Sequence, residues 1–134
     1  MKDARRHLKV GRSAEIEEVV TEADLAGSRG SGSLDVYATP AMIALMERAA
    51  VAAVDDALPR GWITVGTSVE VRHLAATPPG APVRARAELT EVDGRRLTFS
   101  VSARDHSEKI GDGTHQRYCV EKGPFTERAR RKLR

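Results

Sequence analysis

The amino-acid sequence predicts an α+β domain in which an antiparallel sheet wraps around one long helix. Three observations carry this expectation. The segment from Thr39 to Ala57 is rich in helix formers and apolar around nearly its whole circumference, so it needs burial on most sides. Everything after Gly61 alternates apolar and polar residues with the two-residue period of strands. The gaps between those strands are short and turn-like, which favours antiparallel neighbours over crossover connections. At 134 residues the chain suits a single domain over positions 1–134, because two independent cores would each be too small.

Taken in order, Ala14 to Glu22 carries Ile16, Val19 and Val20 among acids and is read as a strand. Gly27 to Ser33 holds three glycines and three serines, too little apolar surface to offset its ordering entropy, and is expected to be a mobile loop or a lid. It is no phosphate-binding loop, because no Gly-Lys-Ser/Thr follows it. Thr39-Pro40 then marks a helix start, Thr as a favoured N-cap and Pro at the first helical position. The helix runs from Ala41 to Ala57 and ends at Leu58-Pro59-Arg60-Gly61. Trp62 to Leu74 is the next strand, with Ile63, Val65, Thr67, Val69, Val71 and His73 on one face. Pro82 to Val92 and the run holding Leu97, Phe99, Val101 and Ala103 pair through an Asp93-Gly94 hairpin. Lys109 to Glu121 supplies the last strand, with an irregularity expected at Gly111-Asp112-Gly113. The simplest architecture of this kind is the hotdog fold. Its one sheet leaves an open edge and apolar surface, so a homodimer is expected.

Composition narrows the function classes. The net charge of +3 is concentrated at the ends: residues 1–12 and 127–134 each carry five bases and one acid, leaving a body of net −5. Basic ends on an acidic body read as flexible, solvated tails, and they form no groove for a nucleic acid. Two Phe, two Tyr and one Trp offer little platform for stacking bases. No apolar run reaches the roughly 20 residues of a membrane span, and the basic N-terminus leads into no apolar signal segment, so a cytoplasmic protein is expected. The single Cys119 excludes an internal disulfide, and its alternating strand context assigns it to packing.

Three residues stand out for chemistry. Glu47 sits in the middle of the apolar helix, where a carboxylate is costly unless paired, hydrogen-bonded or protonated. Thr39 precedes it by eight residues, about 80° around and roughly 12 Å along the helix, so a substrate or another side chain would have to lie between them. His73 ends the apolar face of its strand and is able to point toward the helix. Each has a plain structural reading too: a side chain reaching solvent or a backbone partner at the helix surface for Glu47, a cap for Thr39, a packed ring for His73. His7, His106 and His115 are weaker candidates, lying in a tail, a turn and a strand, and no His/Cys spacing suits a metal.

The stretches Ala38-Thr39-Pro40 to Leu45-Met46-Glu47, Val65-Gly66-Thr67, His73-Leu74-Ala75-Ala76-Thr77-Pro78-Pro79-Gly80, Glu91 to Leu97 and Gly113-Thr114-His115 together resemble the fluoroacetyl-CoA thioesterase family of hotdog enzymes. The resemblance runs from about Val36 to Glu121. It implies hydrolysis of an acyl-CoA or related acyl thioester by a catalytic group of Thr39, Glu47 and His73, with Gly66 at the thioester site. It implies no metal and no bound redox cofactor, coenzyme A entering as part of the substrate. The competing expectations are a non-catalytic acyl-thioester binding module, a dehydratase with a different acid-base pair, and a nucleic-acid-associated protein using its basic ends.

Overall fold

The structure is a computed structural model and describes residues 7–134. Strand β1 (Ser13–Val19) is followed by a short helix α1 (Ala26–Arg29) and the long helix α2 (Thr39–Val54). Strands β2 (Trp62–His73), β3 (Pro82–Asp93), β4 (Arg96–Arg104) and β5 (Lys109–Glu121) follow, then helix α3 (Lys122–Arg130). All pairings are antiparallel, and the sheet order is β1-β3-β4-β5-β2. This is the hotdog architecture expected from the alternation.

The sheet buries α2 because both surfaces are apolar and finely matched. Met42, Leu45, Met46, Ala49 and Ala50 of α2 are at most 2% exposed, as are Ala85, Ala87 and Leu89 of β3 and Phe99 of β4. Small residues on the helix and on β3 let the two backbones approach closely. On the other side of α2, Ala44, Arg48 and Ala52 remain exposed, so the sheet covers the helix incompletely.

Several local expectations need correction. Helix α2 starts one residue early: Ala38 is the N-cap and makes no side-chain cap, while Thr39 and Pro40 fill the first two helical positions. The Thr39 hydroxyl is therefore available for a tertiary partner. The alternation along β2 is not continuous, because a bulge between Gly66 and Ser68 leaves Thr67 unpaired. One extra residue switches the face of everything after it. By their partners on β5, Thr64 and Gly66 share the inner face with Val69, Val71 and His73, whereas Ile63 and Val65 do not.

The irregularity in β5 lies before the glycines, where the register against β4 shifts between Ala103 and Arg104. Gly111 and Gly113 are themselves paired on both sides. Their role is close approach: a Cβ at Gly111 would sit 2.5 Å from Met42 Sδ, and one at Gly113 would run into the backbone of Glu70 and Val71. We expect Gly113→Ala to destabilise the fold by about 1–3 kcal/mol through forced strand separation, read as a lower urea midpoint. An unchanged midpoint would contradict the close packing of β2 on β5.

The ends also differ from expectation. Residues 1–6 of the basic N-terminal segment lie outside the described residues, but Leu8 is 3% exposed in the core, and Gly11 N–H donates to Leu89 O at 2.8 Å. The docked body thus begins before Arg12. Residues 122–130 are helical, with no buried residue, so the basic C-terminal segment is solvated as expected but ordered as a helix. Gly123-Pro124 reads as a breaker in sequence, yet Pro is tolerated in a first helical turn, where its missing N–H has no intrahelical partner.

Candidate active site

Thr39 and His73 meet because two backbone clamps bring the start of α2 to the end of β2. Tyr37 N–H donates to Thr77 O at 2.8 Å, and Ala38 N–H donates to Asp24 O at 2.7 Å. Thr77 is fully buried, its hydroxyl donating to Asp105 at 2.9 Å, and Tyr37 is fixed by its hydroxyl donating to Glu18 at 2.7 Å. The Thr77-Pro78-Pro79-Gly80 stretch thus serves as an anchor for the helix entry. The result is a contact of 2.7 Å between Thr39 Oγ1 and His73 Nδ1.

This pair lies in the wall of a cavity of about 540 Å³. The segment Ser31 to Leu34, with Val36 and Tyr37, also lines it. The expected Gly/Ser loop is shorter than read from composition: α1 takes up Gly27, Ser28 and Arg29, and Gly30 ends it in the left-handed conformation at φ 70°. Nε2 of His73 is buried and has no hydrogen-bond partner among the described residues. Burial pushes the His73 imidazole below its ordinary value, the backbone of Ala75 pulling the other way. A ring held neutral with one nitrogen on a hydroxyl is equipped to take a proton.

Glu47 lies elsewhere. It projects toward β2 at Gly66, where a Cβ would stand 3.0 Å from Glu47 Oε2 and 3.4 Å from both Arg117 and His115. Only a glycine leaves this space open. Arg117 Nη1 lies 3.7 Å from Glu47 Oε2; the Arg117 side chain is 8% exposed and that of Glu47 is 41% exposed. Glu47, Arg117, Ala44, Arg48 and Val51 line a second cavity of about 580 Å³. Within one chain the structure therefore joins Thr39 to His73 and Glu47 to Gly66, as two separate groups, the first lining one cavity and Glu47 lining another.

Of two further residues at this second group, Arg117 escaped sequence reasoning and His115 ranks there only as a weaker candidate. Arg117 and His115 read as ordinary strand positions, but their shared parity with Cys119 puts all three on the inner face of β5. Two polar residues on a face otherwise meant for burial are the signal that was there to find. Burial pushes His115 below its ordinary value, with Arg117 adding to the effect and Ser68 and Glu47 opposing it. It also lowers Arg117, against the pull of Glu47. Cys119 is buried with its thiol pushed up by burial, in keeping with packing.

The two lowered histidines set a pH dependence of stability. Between their folded values and the ordinary 6.5, the unfolded chain binds more protons than the folded one, so stability rises with pH across that window. It is full above about 6.5 and lost as the pH falls below it. We expect a lower urea midpoint at pH 5.5 than at pH 7.5, and an equal or higher one would contradict the buried neutral rings.

Comparison with known proteins places the chain by sequence and by fold. The family FlK, described as fluoroacetyl-CoA-specific thioesterase, matches residues 20–123. A fluoroacetyl-CoA thioesterase of Streptantibioticus cattleyicolor is 45% identical over 98 residues, covering 73% of this chain and 70% of its own. A solved structure of the fluoroacetyl-CoA thioesterase FlK superposes with a TM-score of 0.88 at 37% identity, covering 93% of this chain and 97% of that one. A hot-dog-like protein from Thermanaerovibrio acidaminovorans gives a TM-score of 0.88 at 25% identity, covering 98% of each. The extent of the match and the shared fold place this chain in the fluoroacetyl-CoA-specific thioesterase family, as an acyl-thioester hydrolase.

Proposed function

We propose that the chain hydrolyses short acyl-CoA thioesters, with Glu47, His73 and Thr39 as the reacting side chains and Gly66 at the acyl end of the site. The observation that carries this reading is the hydroxyl–imidazole pair of Thr39 and His73 at 2.7 Å on a cavity wall. Glu47 either attacks the thioester carbonyl or draws a proton from the water that does. His73 moves the proton that the departing thiolate must gain, and Thr39 orients the ring and the substrate. Backbone N–H groups near Gly66 or at the start of α2 stabilise the oxyanion, typically worth about 10²–10³-fold per donor.

The narrow space at Gly66 favours a small acyl group, and fluoroacetyl-CoA is the substrate by which the relatives are named. The chemistry closes with water, acid and thiol, so the reading includes no resident metal or redox cofactor; among the described residues no group of three or more His, Cys, Asp or Glu could hold a metal ion. Coenzyme A arrives with the substrate. Among the described residues no helix is long and apolar enough to cross a membrane; the reading includes a cytoplasmic location. A purified sample assayed for thiol release over acyl chains from acetyl and fluoroacetyl to decanoyl should favour the two-carbon groups. A preference for long chains would contradict the small acyl site.

The reading includes a homodimer that completes the site. Residues 66–70 on the edge strand β2 are exposed, and so is the outer side of α2 beside Glu47. A second copy on this edge extends the sheet, covers that surface and brings the Thr39–His73 pair of one protomer to the partner's Glu47. Mixing inactive Glu47→Gln and His73→Ala proteins, with subunit exchange, should then restore about a quarter of wild-type activity, because only mixed dimers regain one intact site. No recovery in mixed dimers would place the three residues in one chain's own site.

A further inference from the structure

Arg117 beside Glu47 poses a physical question. A buried guanidinium next to a carboxylate ordinarily closes onto it in a two-pronged fork, which would tie up both oxygens of the acid. Here it stands off at 3.7 Å, beyond hydrogen-bond reach. Three of its five N–H donors, one on each nitrogen, are committed elsewhere: Nε donates to Thr64 Oγ1 at 2.8 Å, Nη2 to Thr64 O at 3.0 Å, and Nη1 faces His115 Nε2 at 3.1 Å.

The tautomer of His115 follows from its partners. Ser68 O lies 2.8 Å from Nδ1, and a carbonyl only accepts, so Nδ1 carries the proton. Nε2 is then the lone-pair nitrogen, and Arg117 Nη1 donates to it. The ring is 1% exposed and braced against Phe99, centroid to centroid 6.3 Å, so it has no freedom to turn away. The bulge at Thr67 supplies the geometry, since it sets Ser68 opposite Gln116 and so beside the His115 ring.

From this arrangement we infer that His115 is a positioning residue: its Nε2 holds the Arg117 guanidinium back from Glu47, so that the pair is a loose ion pair and the Glu47 carboxylate is not tied up by a hydrogen bond from Arg117. The inference rests on Glu47 being the reacting acid. The charged groups facing His115 are Arg117 on its own strand and Glu47 on α2. An imidazolium here would turn the accepting nitrogen into a donor pointed at a cation, and burial together with Arg117 disfavours that form.

Two variants separate the bonds of His115. His115→Asn keeps an amide donor for Ser68 O but is too short to accept from Arg117, whereas His115→Gln reaches Arg117 with its carbonyl oxygen. With both folded by circular dichroism, we expect kcat for acetyl-CoA to fall about tenfold in the Asn variant with KM within about twofold, and to return to within about threefold of wild type in the Gln variant. In an Arg117→Gln background the Asn substitution should change kcat no further. Wild-type kcat in His115→Asn, equal losses in Asn and Gln, or an undiminished Asn effect without Arg117 would each overturn the inference. Side-chain nitrogen NMR reads the contact apart from catalysis: exchange between the two Nη groups of Arg117 should be slow in wild type and Gln and faster in Asn. That pattern alongside an active Glu47→Gln enzyme would assign the failure to Glu47, and its absence would assign it to His115.

Discussion

Glu47→Gln should lower thioester turnover by at least about 100-fold while leaving the circular dichroism spectrum unchanged. The substitution keeps the side chain's size and removes its charge and basicity, and Glu47 is 41% exposed toward a cavity, so no core packing is disturbed. A structural Glu whose worth was its ion pair with the buried Arg117 would behave differently, because losing it would lower stability by leaving that cation without its partner and would leave catalysis untouched. The kinetic readout is thiol release under saturating acyl-CoA. Turnover within a few-fold of wild type would remove Glu47 from the mechanism.

His73→Ala should cost about 10²–10⁴-fold in kcat/KM and also abolish a titration. Burial keeps the wild-type ring neutral to below its ordinary 6.5, so the acid limb of the pH–rate profile should lie below that value. Activity falls along that limb as the ring gains a proton and can no longer accept one. In the variant the limb should shift or vanish along with the rate. Because Ala also removes the partner of Thr39, His73→Gln is the companion variant: it retains a hydrogen-bonding group near Nδ1 but no basic nitrogen. A folded His73→Gln that kept both the rate and the limb would make His73 a packing residue at the strand end.

The sequence made the fold legible wherever one period persisted. Strand β4 alternates without interruption and β3 does so up to a bulge at Thr90, and their inner residues Val83, Ala85, Ala87 and Leu89, and Leu97, Phe99, Val101 and Ala103, are the ones the sheet buries. Strand β2 misled because a one-residue bulge leaves no mark on an apolar pattern, so Ile63 and Val65 were set on the face of His73. Helix α3 was hidden by Gly123-Pro124, whose local preference is a turn. At the candidate site Thr39, Glu47, Gly66 and His73 could be named from the resemblance, but their grouping could not. Whether Thr39 caps its helix or touches His73 depends on the clamps at Tyr37 and Thr77, which span forty residues. Arg117 was passed over and His115 set low since a polar residue in a strand ordinarily faces water, and the parity they share with Cys119 gained its meaning once the register placed that face inward.

The most direct measurement follows both products at once when purified protein meets acetyl-CoA or fluoroacetyl-CoA: free thiol by a colorimetric reagent and the carboxylate by NMR. An acyl-thioester hydrolase that works through Glu47 should release acid and thiol in equal amounts over many turnovers, and the Glu47→Gln protein should bind the same acyl-CoA while releasing at least about 100-fold less of each. Saturable binding of the acyl-CoA by the wild-type protein with no release of thiol above the rate in buffer would contradict the account and leave a binding module in its place.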